Sequence, residues 1–468
     1  MSRTRTFGWL LTATLISPLL ACSEYNLAPL PGYLGKEFFA VDLNNYDGST
    51  TEESADAAQY SVTVSNPVTS AGDASVSITQ RGADEDHIQE RIAPGDLHVF
   101  DLVRFDAEDS FVGERSFYIE STIPVTAHQF NPANNVGVFS NDASMLVPIH
   151  SLGKRYRAAC WPFDVSQGHT TGLADYLTVV ATEDGTEVQV VPRANVLAGE
   201  GVPQTPAGVP MSVTLDESEV LQIQSQGGTT ANDLTGSLID ASKPVAVFSG
   251  NECAMVPADV WACDHIEEQL HPIEAWGEHY FVVKFEPRGS EADIFRVIAD
   301  EDGTEVSTEP ELPGFPVTLD GGDFIEFESD GEFEVKSSDP VSLIQYMSGS
   351  EYTNVPLGSG IGDPAMLVVV PNEQFVDEFI FLTPEGYLEG WITVVAGNNS
   401  EVTLDDDPID DGEWNEFPSG DKRWARIAVE PGVHRLHSDQ PMGLTVYGYD
   451  DDVSYAYPGG AQLTPQAY

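Results

Sequence analysis

Ser121-Thr122-Ile123-Pro124-Val125-Thr126-Ala127-His128-Gln129-Phe130 has three echoes further along the chain. They are Ala241-Ser242-Lys243-Pro244-Val245-Ala246-Val247-Phe248-Ser249-Gly250, then Ser338-Asp339-Pro340-Val341-Ser342-Leu343-Ile344-Gln345-Tyr346, then Ser438-Asp439-Gln440-Pro441-Met442-Gly443-Leu444-Thr445-Val446-Tyr447. Proline has no N–H to give to a β ladder and is confined to strand starts and edges, so each copy is expected to be a turn feeding an apolar strand. The four prolines are spaced by 120, 96 and 101 residues (positions 124, 244, 340 and 441), which sets a repeat of about a hundred residues.

A second echo has the same period. Glu183-Asp184-Gly185-Thr186-Glu187-Val188 returns as Glu301-Asp302-Gly303-Thr304-Glu305-Val306, each between two short β runs. Asp-Gly suits a tight hairpin because glycine takes positive φ freely and aspartate tolerates it. After each comes a matched pair of runs, Val213–Asp216 with Val220–Ile223 and Val317–Asp320 with Phe324–Phe327. Period-two alternation at Val62/Val64, Val76/Ile78, Val188/Val190 and Leu221/Ile223, without sustained helical periodicity, makes the class all-β. Roughly seven strands per hundred residues is sandwich size. The expected architecture is therefore four tandem β-sandwich-like modules at 37–150, 151–271, 272–371 and 372–468. A β-propeller-like arrangement is the alternative, although blades normally repeat at a shorter interval.

Before the modules, Arg3 and Arg5 precede an apolar run from Phe7 to Leu20, interrupted by Pro18, which ends in Leu19-Leu20-Ala21-Cys22-Ser23. The run is too short for a spanning helix and is similar to a bacterial lipoprotein signal, residues 1–21, with lipidation expected at Cys22. Residues 22–36, with Pro29 and Pro31, form the anchor and stalk. Several acyl chains would tether the chain stably to a membrane. Ser23 after the cysteine matches the outer-membrane sorting pattern, so the expected location is the cell envelope, as a surface-exposed outer-membrane lipoprotein.

The 76 acidic and 20 basic residues give a net charge of −56. Nucleic acid and anionic lipid surfaces are thereby excluded as partners. With 41% hydrophobic and 10% aromatic residues the chain still folds, so the charge belongs on its surface, where salt or divalent cations would relieve the repulsion. Of the cysteines other than Cys22, Cys253 and Cys263 are close enough in sequence to close a small loop and Cys160 is left over, while pairing of Cys160 with either stays open.

Motifs for catalysis are missing: there is no G-x-S-x-G, no H-E-x-x-H, no phosphate-binding glycine loop and no C-x-x-C. No catalytic, cofactor or metal residue is assigned. Cys263-Asp264-His265-Ile266-Glu267-Glu268-Gln269-Leu270-His271 is the nearest to a reactive cluster, and in a helix His265 and Glu268 would share a face as a zinc or acid/base site needs. The preferred reading is a disulfide-linked loop whose polar side chains cap backbone groups. Asp405–Glu413 is the densest acidic run, but Ile409 falls on a ligand position of the EF-hand spacing, so it reads as a solvated hairpin tip. The polar stretch from Phe130 through Phe139–Pro148 reads as a turn-rich connection, with a binding loop as the functional alternative.

Taken in order, Phe38–Asn45 (FFAVDLNN), Val64–Pro67 (VSNP), His128–Pro132 (HQFNP), Phe139–Pro148 (FSNDASMLVP), Asp233–Cys253 (DLTGSLIDASKPVAVFSGNEC), Cys263–Pro272 (CDHIEEQLHP) with Trp276-Gly277, Gly362–Met366 (GDPAM) and Ser454–Gly460 (SYAYPGG) resemble the amino-terminal domain of the IgG Fc-binding protein family. That family includes a mucus-associated animal protein and bacterial homologues. The resemblance implies a disulfide between Cys253 and Cys263, which match the family's paired cysteines. It does not extend to von Willebrand-type modules, so gel formation is not implied. The expected function is a lipid-anchored, non-enzymatic binding or adhesion protein for a glycoprotein, mucin-like or immunoglobulin-like ligand. Its rivals are a structural envelope protein with no soluble ligand and a metal-dependent hydrolase centred on Cys253–His271.

Overall fold

In the computed structural model the repeated prolines sit where a strand changes sheets. Phe117–Asn131, Phe333–Tyr346 and Gly432–Asp450 are single long strands that run straight through Pro124, Pro340 and Pro441. Only the second copy is broken, with Pro244 between Leu238–Ala241 and Val245–Met255. The expected turn before each strand is thus corrected in three copies out of four. The physical reason is that none of the three prolines has a ladder partner: pairing to one sheet has ended and pairing to the next has not begun, so the missing N–H costs nothing.

The described residues are 32–463, except 47–54, 56–57, 83–86, 133–139, 164–173 and 354–360. Cys22 and the signal segment lie outside them. Among the described residues there is no α-helix, only strands and short 3-10 turns. Residues 31–468 form one unit.

All four repeats share one topology. In the first, Gly35–Ala40 and Ala74–Gln80 flank the N-terminal half of the long strand, while Ser61–Ser65 and Asp142–Met145 flank its C-terminal half. His87–Ile92 borders the third strand and Leu97–Asp101 the second. The same order recurs in the other three, with a further short strand, Trp414–Glu416, in the last. Between the two half-sheets lies the core; in the third repeat Tyr280, Val282, Phe333 and Val335 of one half meet Phe295, Val297, Phe327 and Leu343 of the other. The chain from the first repeat also reaches across to the second, where Phe111–Glu114 pairs with the edge strand Glu219–Gln224.

This topology corrects the hairpin expectation for the Asp-Gly turns. Gly185 and Gly303 do take positive φ, 65° and 83°. The strands they join, Asp175–Ala181 to Thr186–Val191 and Asp293–Ala299 to Thr304–Glu309, do not pair with each other but lie on opposite halves of the module. An arch between layers and a hairpin within a layer need the same tight reversal, so local sequence does not separate them.

The last strands of the four repeats, Asp142–Met145, Cys263–Gln269, Met366–Val368 and Val453–Pro458, pack side by side at the centre. Each module therefore sits like a blade about a common axis, but each is a two-sheet unit and not one four-stranded blade. After the first three of these strands a proline (Pro148, Pro272, Pro371) starts a 3-10 turn that leads into the next module. Each proline lies on the glycine that opened its own module: a Cβ on Gly35, Gly153 or Gly277 would stand 2.1, 2.4 or 2.3 Å from the proline Cβ. The ring closes where the fourth module meets the first: Ala456 N–H donates to Asp142 Oδ1 (3.2 Å) and the His128 and Tyr457 rings lie 4.7 Å apart.

Gly153→Ala and Gly277→Ala are expected to destabilise the protein by about 1–3 kcal/mol each, the usual cost of overpacking. Gly331→Ala, with nothing within 4 Å of the added methyl, should leave stability unchanged. Urea unfolding midpoints of the three variants check this.

Candidate functional site: a carboxylate hub beneath a loop-bearing face

Each of the four central strands has a ladder neighbour on one side only. The N–H groups on the other side point inward, away from water, and a buried backbone donor must find an acceptor. Carboxylates provide it. Asp142, fully buried, accepts through Oδ2 from the N–H of Glu267 (3.1 Å) and of Met366 (3.0 Å), and through Oδ1 from that of Ala456 (3.2 Å) and of Ala143 (2.9 Å). One side chain thereby joins all four modules.

Its neighbours repeat the arrangement. Asp264 accepts from the N–H of Asn141 (2.6 Å) and Ser454 (3.3 Å). Glu268 accepts from Val368 N–H (3.3 Å) and Ser144 Oγ (3.2 Å), and Gln269 Oε1 from Val147 N–H (2.8 Å). Ser140 and Ser144 hydroxyls accept in turn from the N–H of His265 (2.8 Å) and Gln269 (2.7 Å).

Cys263–Gln269 is a strand, so His265 and Glu268 face opposite sides and the helical zinc geometry does not form. His265 Nε2 instead lies 3.1 Å from Glu267 Oε2, while Gln129 Nε2 donates to Glu267 Oε1 (3.0 Å). His271 is buried apart from them, its carbonyl accepting from Trp276 Nε1 (3.3 Å). The polar side chains do cap backbone groups, those of other modules and from a strand rather than a loop. No cluster of three His, Cys, Asp or Glu among the described residues is arranged to hold a metal.

Burial pushes Asp142, Asp264 and Glu268 well above the ordinary carboxylate range, against the pull of their backbone donors. Burial likewise raises Glu267 to about 8, opposed by hydrogen bonds from Gln129 and Asn131. His128 and His265 are lowered to about 3 by burial, so both are neutral.

The other sequence candidates fall elsewhere. Cys253 and Cys263 are bonded, with Cα atoms 5.0 Å apart, and Cys160 is a buried free thiol. Asp405 and Asp406, both at positive φ (52° and 67°), form the reversal of an exposed hairpin, where Asp405 Oδ1 accepts from Arg435 N–H (2.8 Å) and Oδ2 lies 2.7 Å from His434 Nδ1. Ser140–Pro148, expected as a connection, carries the first hub strand; residues 133–139 lie outside the described part.

The hub also orients the modules. The starts of the central strands lie together, Asn141 against Asp264 and Asp264 against Ser454, so the described strand ends at which the connections enter these strands and the second strand of each module lie on one face. Trp261, 52% exposed, stands in the disulfide-closed connection before Cys263, and Leu388, 67% exposed, in the connection between the first two strands of the fourth module. Tyr387 beside it bonds Asn141, tying that connection to the hub.

The model of the family described as IgGFc binding protein matches residues 142–448, 307 of the 468 residues, beginning at Asp142. The chain belongs to the IgGFc-binding protein family. The human IgGFc-binding protein is 26% identical to it over 392 residues, which is 82% of this chain and 7% of the human protein's length. A crystal structure of a tetra-tandem repeat in the extending region of a large adhesion protein aligns over 92% of this chain and 100% of its own at 8% identity, with a TM-score of 0.09. Hub residues Asp142, Asp264 and Glu268 all fall inside the family match.

Asp142→Ala strands N–H groups of four modules without an acceptor, and at about 1–3 kcal/mol for each buried donor it should cost about 3 kcal/mol or more in chemical denaturation. Glu267 gives the pH dependence. With its folded value near 8 above its unfolded 4.5, its contribution is full at low pH and lost as pH rises through 8. Neutral histidines act oppositely, and only below their unfolded 6.5. From pH 6.5 to 9, in salt high enough to screen surface charge, Tm should therefore fall, and Glu267→Gln should make that decline shallower.

Proposed function

We propose that this chain is a non-enzymatic binding protein of a cell envelope, tethered through a lipidated Cys22, that engages a glycoprotein, mucin-like or immunoglobulin-like ligand through the loop-bearing face of its ring. The supporting observation is that a rigid buried hub gathers on one face the strand ends from which connections of all four modules start. A fixed scaffold that presents loops is how binding surfaces are commonly built, and an exposed tryptophan on a disulfide-closed hairpin is an apt anchor for an interface. Family membership supports a binding role. The hub carboxylates are committed to backbone donors and, for Glu268, also to the Ser144 hydroxyl, and the clefts at Arg104 and Glu200, at Glu305 and Ser338, and at Ile78 and Phe117 include none of them.

The test is binding of the full chain to immobilised mucin, a glycan panel and immunoglobulin Fc, with calcium and with chelator. Saturable binding to one class that is weakened at least tenfold by Trp261→Ala, at unchanged Tm, is the expected result. If the ligand is anionic, affinity should rise with added salt, because screening relieves repulsion from a chain of charge −56. Absence of binding to every class by a folded sample would overturn the proposal in favour of a structural envelope role.

A further inference from the structure

A second buried polar group, in the third module, takes no part in the hub. Lys284 follows the strand Gly277–Val282, Asp293 opens the next strand, Asp293–Ala299, and Glu291 lies in the connection between them. Their side chains are 4%, 2% and 1% exposed, respectively. Lys284 Nζ is 3.3 Å from Glu291 Oε1 and 3.9 Å from Asp293 Oδ1.

The two carboxyls are held differently. Asp293 Oδ2 accepts from Phe285 N–H (2.9 Å) and Gln345 Nε2 (2.7 Å), which leaves Oδ1 on the lysine side. Glu291 is fixed by the N–H groups of Arg288 (2.8 Å) and Gly289 (2.8 Å), with Arg288 Nε 3.7 Å away. Burial raises the Asp293 carboxyl above its ordinary value despite Lys284, favouring the neutral acid. In Glu291 the raising effect of burial is outweighed by the Arg288 N–H and Lys284, and it stays a carboxylate.

We propose that Lys284 and Asp293 condense into an intramolecular isopeptide bond, with Glu291 as the proton carrier. Glu291 takes a proton from the Lys284 ammonium, and the free amine attacks Cγ of the protonated Asp293. Negative charge then forms on Oδ2, which already faces two N–H donors, as an oxyanion site requires. The Oδ1 hydroxyl takes the proton held by Glu291 and departs as water. The amide nitrogen returns its surplus proton to Glu291, which ends protonated. One N–C bond forms, one C–O bond breaks, and nothing is oxidised or reduced. Reacting groups within about 3–4 Å in a water-excluded pocket supply the proximity that such a condensation needs. The product clamps the connection 284–293, one of those on the loop-bearing face.

The experiment is tryptic digestion of the purified full chain followed by mass spectrometry. The expected result is loss of cleavage after Lys284 and a branched peptide in which Gly289–Arg296 is attached through Asp293 to Lys284, lighter than its two parts by one water. Ordinary cleavage after Lys284, with Gly289–Arg296 recovered free and at full mass, overturns the proposal. Glu291→Gln should stay unlinked, as should Lys284→Arg; a Glu291→Gln protein linked as fully as the wild type would overturn the role of Glu291. Because the wild-type digest decides the bond itself, the outcome does not depend on how well the variants fold.

Discussion

A strand at the inner edge of a closed ring has no neighbour for half of its backbone donors and no water to offer them. The rest of this structure depends on how that demand is met. Four such edges converge, and Asp142, Asp264 and Glu268 supply the acceptors that a further strand would have given. Since a carboxylate oxygen accepts more than one bond, Asp142 serves donors from all four modules at once. Edge strands are ordinarily a liability because any other chain can pair with them. Here they are saturated from within.

This solution places acidic side chains in the core of a protein already carrying −56, where burial favours their neutral form. Burial and neighbouring carboxylates raise Asp142, Asp264 and Glu268, while backbone N–H groups and, for Glu268, the Ser144 hydroxyl pull the other way. A buried ionic group is costly unless its partners are complete. The hub consequently works as a unit: removing one acceptor exposes several donors, and protonation of the group is coupled to folding. The boundary between the second and third modules is secured in a different way, by Arg296, which is buried against Trp161 (4.3 Å) and bonded to Cys160 O and Thr235 Oγ1 of the second module while its own strand belongs to the third.

Much of the fold was legible because it rests on local chemistry. The alternation at Val188/Val190 and Leu221/Ile223 corresponds to strands Thr186–Val191 and Glu219–Gln224. The prolines at 124, 244, 340 and 441 mark equivalent positions in four modules. What they mark was not legible: a sheet-switching corner and a strand start call for the same residue. The Asp-Gly turns misled for a similar reason, since Gly185 needs positive φ whether the next strand pairs back or crosses to the other layer. For the site, the Asp-His-Glu-Glu-Gln segment stood out by its polarity, and capping was its preferred role. Asp142 carries no local signal within Phe139–Pro148, because its partners lie 125, 224 and 314 residues away.

By itself, then, the sequence determined the all-β class, the hundred-residue repeat and the acidity of the surface, because periodicity, turn chemistry and charge are properties of short segments or of composition. Only the tertiary structure decided that the repeats close into a ring, that their last strands meet at its centre, and that Asp142 holds them there. Those outcomes depend on which unpaired donors meet which buried acceptors, and that pairing comes into being only when segments hundreds of residues apart are brought together.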